Sequence, residues 1–144
     1  MSLLERLAAL AVALGCLAVL ATALILPPSP GGVGTHRGLG LDACSLLVRT
    51  GVPCPTCGMT TSFSYFVRGQ VLASLYVQPM ATVLAFLAAL TFWAGLYVAM
   101  TGRPGHRLLR SVLPRYYLIP LFTLAVLAWV WKIGIHLTGH DGWG

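Results

Sequence analysis

The chain has 144 residues, of which nine are Lys or Arg and only three are Asp or Glu, while 58% are hydrophobic. Charged residues amount to 8%, against about 25% in a soluble domain. A water-soluble globule could not cover its core with so few charges, and a disordered chain would be poor in apolar residues, so both classes are excluded in favour of an integral membrane protein.

A helix crosses roughly 30 Å of hydrocarbon with about 20 mostly apolar residues. Leu7 to Leu26 is the first such run, uncharged inside and stopped by Pro27-Pro28. It is longer than the apolar core of a cleaved signal peptide, usually about 7–15 residues. Ala13-Leu14-Gly15-Cys16 is a poor lipoprotein cleavage box, because Ala13 stands where a branched aliphatic is expected. Cleavage there would also strand Leu17 to Leu26 as an apolar stub, so the run is read as a span and Cys16 as a small packing residue.

Pro27 to Gly40 holds three prolines and five glycines in 14 residues and reads as an irregular, exposed connection. Its glycines do not form a phosphate cradle, since no Gly-Lys-Ser/Thr follows and no strand pattern precedes.

Cys54-Pro55-Thr56-Cys57-Gly58 is the stretch richest in chemistry. The two cysteines can cycle between dithiol and disulfide, can contribute two thiolates to a metal, or can pin the helix that follows. Attachment of a c-type haem is excluded, because Gly58 occupies the position that needs histidine. Pro55 fits the first position of a helix capped by Cys54, whereas Gly58 weakens that start. Thioredoxin-like enzymes carry a similar tetrapeptide after a buried strand, but no strand pattern precedes Cys54. Cys44 lies ten residues upstream on the same side, so one pairing leaves a thiol over for a metal, a resolving role or an intermolecular bond. His36, Asp42, His136 and His140 are assigned to that side too. His36 is the nearer candidate for a fourth ligand, while the other two histidines read as a polar helix terminus.

From Gly58 to Gln78, Met59, Phe63, Phe66 and Val67 recur at helical spacing, and after Gly69 the stripe resumes with Val71, Leu72, Leu75 and Tyr76. Arg68-Gly69-Gln70 in the middle argues against a further span. Two short helices, interfacial or re-entrant, are expected.

Pro79 to Met100 is the second span, with proline at its first position. Ala81, Ala85 and Ala89 form a small-residue stripe suited to close packing within the chain, in a homo-oligomer or against a protein partner. Gly102 to Arg115 carries Arg103, Arg107, Arg110 and Arg115 without an acid, which makes it a cytoplasmic loop over 102–115 by the positive-inside bias. Its arginines suit lipid headgroups, and no nucleic acid is needed to explain them. Tyr116 to Leu137 is the third span, whose single cation, Lys132, is expected to reach the interface. The fold class is therefore all-α, one membrane domain over 1–144 with spans at about 7–26, 79–100 and 116–137. The N-terminus is cytoplasmic, and the loop 27–78 with the cysteine motif faces outward.

Cys44 to Pro79, and more loosely the span that follows, resembles an uncharacterised bacterial membrane family with a Cys-Pro-x-Cys-Gly-x-Thr signature. The signature is matched by Cys54, Pro55, Cys57, Gly58 and Thr60, with further matches at Thr50-Gly51, Gly69 and Pro79. The family typically has Arg after the motif's Thr, Pro after the first Cys and Asn before the last Pro, where this chain has Thr61, Ser45 and Gln78. The resemblance implies a multi-pass protein of a bacterial inner membrane and locates the site. It implies no activity.

With Glu5, Asp42 and Asp141 as the only acids, paired-carboxylate chemistry is absent, and an enzyme is not the first reading. The readings rank as a small accessory or scaffold subunit with a structural cysteine element, then a thiol–disulfide oxidoreductase using Cys54 and Cys57, then a metal module using Cys44, Cys54 and Cys57. The oxidising outer side of a membrane favours disulfides, which weighs against stoichiometric zinc as the cofactor.

Overall fold

A computed structural model describes residues 2–102 and 118–143. The basic loop read at 102–115 lies outside them apart from Gly102, as do Tyr116 and Tyr117 of the third span. The described residues are all-helical. They form α1 (Leu3–Ile25), a 3-10 turn (Thr35–Leu39), α2 (Ser45–Thr50), α3 (Met59–Val67), α4 (Val71–Val77), α5 (Pro79–Thr101) and α6 (Leu118–Leu137). The helices α1, α5 and α6 are long and apolar enough to cross a membrane.

α1 starts four residues before the apolar run because Ser2 and Glu5 form a capping box: Glu5 N–H donates to Ser2 Oγ, and Ser2 N–H donates to Glu5 Oε2 at 2.8 Å. It runs antiparallel to α5, its main packing partner. Gly95 makes that approach possible, since a Cβ there would stand 2.9 Å from the Ala9 carbonyl oxygen and 3.1 Å from the Ala13 Cβ. Arginines close the ends of both helices. Arg6 donates to the Ala99 and Met100 carbonyls at the end of α5, and Arg68 donates to those of Ala23 and Leu24 at the end of α1. Each supplies donors and positive charge where a helix leaves carbonyls unpaired.

The protein is apolar on the outside and small or polar within. Trp93 and Phe122 are 66% and 72% exposed, whereas Thr61, Ser62, Ser64, Ser74, Ala81 and Ala85 are fully buried. A soluble core would be arranged the other way round, so the outward faces are those of helices solvated by lipid.

The expected pair of short helices is present as α3 and α4, parted by Gly69 in the left-handed region at φ 78°. They pack on each other, on α1 and on α5. Ser62 donates to the Ser74 carbonyl while Ser74 Oγ donates to the Ser62 carbonyl, both at 2.9 Å, and Thr82 of α5 lies 2.7 Å from Ser74 Oγ. Away from water these reciprocal bonds satisfy the hydroxyls that let the helices approach so closely.

α6 touches α5 only lightly and is held by polar anchors at one end. Trp131 Nε1–H donates to the Tyr76 carbonyl, and Tyr76 stacks edge-on with both Trp131 and Trp143. Lys132 does not lie free on the surface of α6. It is wholly buried, donates to the Gly32 carbonyl and pairs with Asp141 at 2.9 Å. The reason is that the chain turns back after α6 at Gly139 (φ 73°), with His140 N–H bonded to the Ile135 carbonyl, and carries Asp141 onto the helix.

Gly95→Leu should overpack the α1–α5 contact and lower stability by about 1–3 kcal/mol. Gly15→Leu, in open space on α1, should leave it unchanged. Thermal unfolding of both variants in detergent measures the difference.

Candidate functional site

The cysteines sit on two segments joined by a tight reversal. Cys44 precedes α2, which ends after one and a half turns at Gly51, in the left-handed region at φ 69°. Val52 and Pro53 then lead into Cys54. The next residues are not the helix start that Pro55 suggested. Cys54 to Gly58 form turns, closed by Cys57 N–H to the Cys54 carbonyl and Met59 N–H to the Thr56 carbonyl, and α3 begins only at Met59. Gly58 explains the delay. Its φ of 87° is left-handed, and a Cβ there would stand 2.9 Å from the Gly32 carbonyl oxygen and 3.3 Å from Lys132 Cε.

Side chains from distant elements pin this turn by its carbonyls. Gln78, between α4 and α5, donates through Nε2 to the Pro55 carbonyl, and Trp129 of α6 donates through Nε1 to that of Pro53, both at 2.9 Å. The turn is thereby rigid before any ligand arrives.

The three sulfurs of Cys44, Cys54 and Cys57 lie within 4.8 Å of one another. Cys54 Sγ is 3.0 Å from Cys57 Sγ, 3.1 Å from Thr56 Oγ1, and all three cysteines are free thiols. Cys54 N–H donates to the Cys57 sulfur at 3.3 Å. Sulfurs sharing one zinc stand about 3.8 Å apart, given Zn–S bonds of about 2.3 Å at tetrahedral angles. The trio therefore needs only small side-chain rotations to share an ion. The cluster opens on a cavity of about 460 Å³ whose wall also includes His36, Thr56 and Thr60. A groove of about 400 Å³ between α1 and α3, lined by residues such as Ala18, Val19, Met59 and Phe63, has no ionisable group.

The thiols differ in acidity. The Leu47 amide beside Cys44 and the neighbouring Cys54 thiol favour its thiolate and bring it down to about 7. Burial, helped by the Cys54 thiol, pushes Cys57 up to about 12.

Of the described histidines, His36 alone lines the cavity, with Nε2 3.1 Å from the Asp42 carbonyl oxygen. His136 pairs with Asp141 beside Lys132, and His140 bonds the Thr138 carbonyl, so α6 brings neither to the cysteines. The anchors Gln78, Trp129 and Lys132 were not read from sequence as parts of this site. Lys132 had a signal available: a lone cation in an apolar helix needs a counter-ion, and Asp141 is one of only three acids in the chain.

Among the described residues these features define an all-helical membrane protein with three membrane-length helices and a three-cysteine turn. Residues 44–92, the segment that carries the resemblance, match the family described as "Protein of unknown function (DUF2752)". No curated protein and no solved structure matches the chain.

In reduced, metal-free protein, alkylation of Cys44 should rise through about pH 6–8 and level off above, while Cys57 stays unreactive at those pH values. The thiolate is the nucleophile, so a thiol lowered to about 7 is half ionised at neutral pH and one raised to about 12 is not. Mass spectrometry of proteolysed, pulse-alkylated protein gives the order. Equal rates at both sites would refute it.

Proposed function

We propose that this protein is a membrane-anchored metal-binding module, in which the thiolates of Cys44, Cys54 and Cys57 hold one thiophilic divalent ion. The ion makes the cysteine turn a structural element of a small accessory subunit in a bacterial inner membrane. The observation that carries the reading is the convergence of three sulfurs from two segments within 4.8 Å. A disulfide needs two sulfurs, whereas an ion uses all three. A cation also offsets the unfavourable ionisation of the buried Cys57, since a coordinated thiol is deprotonated outright. The four arginines between Gly102 and Arg115 support a cytoplasmic N-terminus, with the cluster on the opposite side.

The 3.0 Å contact of Cys54 with Cys57 favours a second reading, a dithiol that closes to a disulfide by exchange with a partner protein's disulfide, which leaves as two thiols. The Cys44 thiolate can then attack the new bond and release one cysteine as thiolate. Thiol trapping on protein purified without a histidine tag separates the two. The metal module predicts about one ion per chain and three thiols protected until a chelator is added. Thiols released only by reductant would sink it in favour of the dithiol. For the topology, a His106→Cys protein with its four native cysteines replaced should resist an impermeant maleimide in intact cells, and ready labelling there would reverse the orientation.

A further inference from the structure

Three thiolates leave a tetrahedral ion one donor short, and a closed structural zinc site fills its four positions with cysteine and histidine side chains alone. Among the described residues, one imidazole lines the cavity into which the cysteines open, that of His36. We propose that His36 is the fourth ligand, through Nδ1, and that the site is a zinc centre of three cysteines and one histidine. This rests on the metal-module reading above and names its missing donor and its ion.

Three observations carry the assignment. The backbone next to His36 is fixed against the same helix that follows the cysteine turn. Thr35 is 6% exposed, its Oγ1 lies 2.7 Å from Oγ1 of the fully buried Thr61 in α3, and it accepts from Ser29 N–H at 2.9 Å. The imidazole is therefore delivered to the cavity by an anchored neighbour rather than by a loose strand of loop. Its tautomer is set as well. A carbonyl oxygen can only accept, so the Nε2 that stands 3.1 Å from the Asp42 carbonyl is the nitrogen that carries a proton, which leaves Nδ1 as the one to face an ion. Metal-bound histidines have this arrangement, with one nitrogen on the ion and the other N–H given to a carbonyl or carboxylate, which orients the ring and raises its basicity. Neither ring nitrogen of His36 stands within 4.8 Å of all three sulfurs, so the ring must move toward them for Nδ1 to bind the ion. Finally, the acceptor belongs to Asp42, two residues before Cys44, so the bond ties the 3-10 turn directly to a ligand-bearing segment.

The outcome for the ion is selectivity. Three thiolates alone suit trigonal soft ions such as Cu(I), whereas a fourth, imidazole donor completes the tetrahedron that zinc prefers. With all four positions taken by protein, no water is left on the ion to activate, so the centre is structural.

The test titrates cobalt(II), a spectroscopic stand-in for zinc, into the full-length, tag-free, reduced protein in detergent. Wild type should show the intense visible bands of tetrahedral thiolate coordination and saturate at one ion per chain. His36→Ala should weaken and shift those bands and lower zinc affinity by at least about 10–100-fold, the loss already caused by removing an outer partner of a ligand. His36→Cys should restore tetrahedral bands as a four-thiolate site. Zinc X-ray absorption on wild type, which depends on no variant, should count three sulfurs and one imidazole nitrogen. An unchanged spectrum and affinity in His36→Ala, or absorption without the imidazole scattering, would overturn His36 while leaving the three-cysteine site standing. A wild type that binds neither ion would overturn both.

Discussion

The cysteine end of the molecule hangs from one backbone position, Gln78. It sits where α4 gives way to α5, and its main-chain carbonyl accepts from Thr82 at 3.3 Å and lies 3.2 Å from Ser62 Oγ. Its side chain, 1% exposed, reaches the other way to the Pro55 carbonyl. The residue thus joins the hydroxyl network between the short helices to the turn that carries Cys54 and Cys57. Burying three hydroxyls and the amide N–H of Gln78, whose Oε1 has no partner among the described residues, is unfavourable unless the donors are met, so the network is stable only when α3, α4, α5 and the turn are together. The cysteines inherit their geometry from that condition.

Helices in lipid gain nothing from hiding apolar side chains from one another, since hydrocarbon surrounds them either way. The three long helices accordingly use other means of association. α1 and α5 exchange close contact through Gly95, Ala9 and Ala13 and arginine clamps at both ends. α6 packs little and relies on its indoles and on the buried pair of Lys132 with Asp141. Losing one partner of such a pair leaves a stranded charge, at about 3–5 kcal/mol, which makes the pair a specific latch rather than a general adhesive. The latch closes beside Gly58, so the docking of α6 and the shape of the cysteine turn are one event.

The turn is accordingly preorganised from three directions. Gln78 and Trp129 hold its carbonyls, Gly58 lets Gly32 and Lys132 approach, and α2 fixes the return of Cys44. A site assembled in advance spends little ordering entropy on its ligand, which favours tight capture of a small ion over a large, adaptable substrate.

Much of this was legible in the linear sequence. The scarcity of charge and three long apolar runs determine the membrane class and the helices. The polar Arg68-Gly69-Gln70 interruption determines that 58–78 is two short helices, because Gly69 there adopts a positive φ. The spacing of Cys54 and Cys57 determines that their sulfurs meet, since one turn of backbone cannot separate them. These are local properties, set by residues within a few positions of each other. What only the tertiary structure decided is non-local: that Cys44 rather than His136 joins the pair, that His36 lines their cavity, and that Lys132 finds Asp141. Each depends on where a glycine-rich connection or a tail returns to the bundle, and hydrophobic periodicity carries no information about that return. The start of α3 belongs to the same group. Pro55 favours a helix by local preference, but the approach of Gly32 and Lys132 to Gly58 requires a turn there, and the packed contact prevails over the propensity.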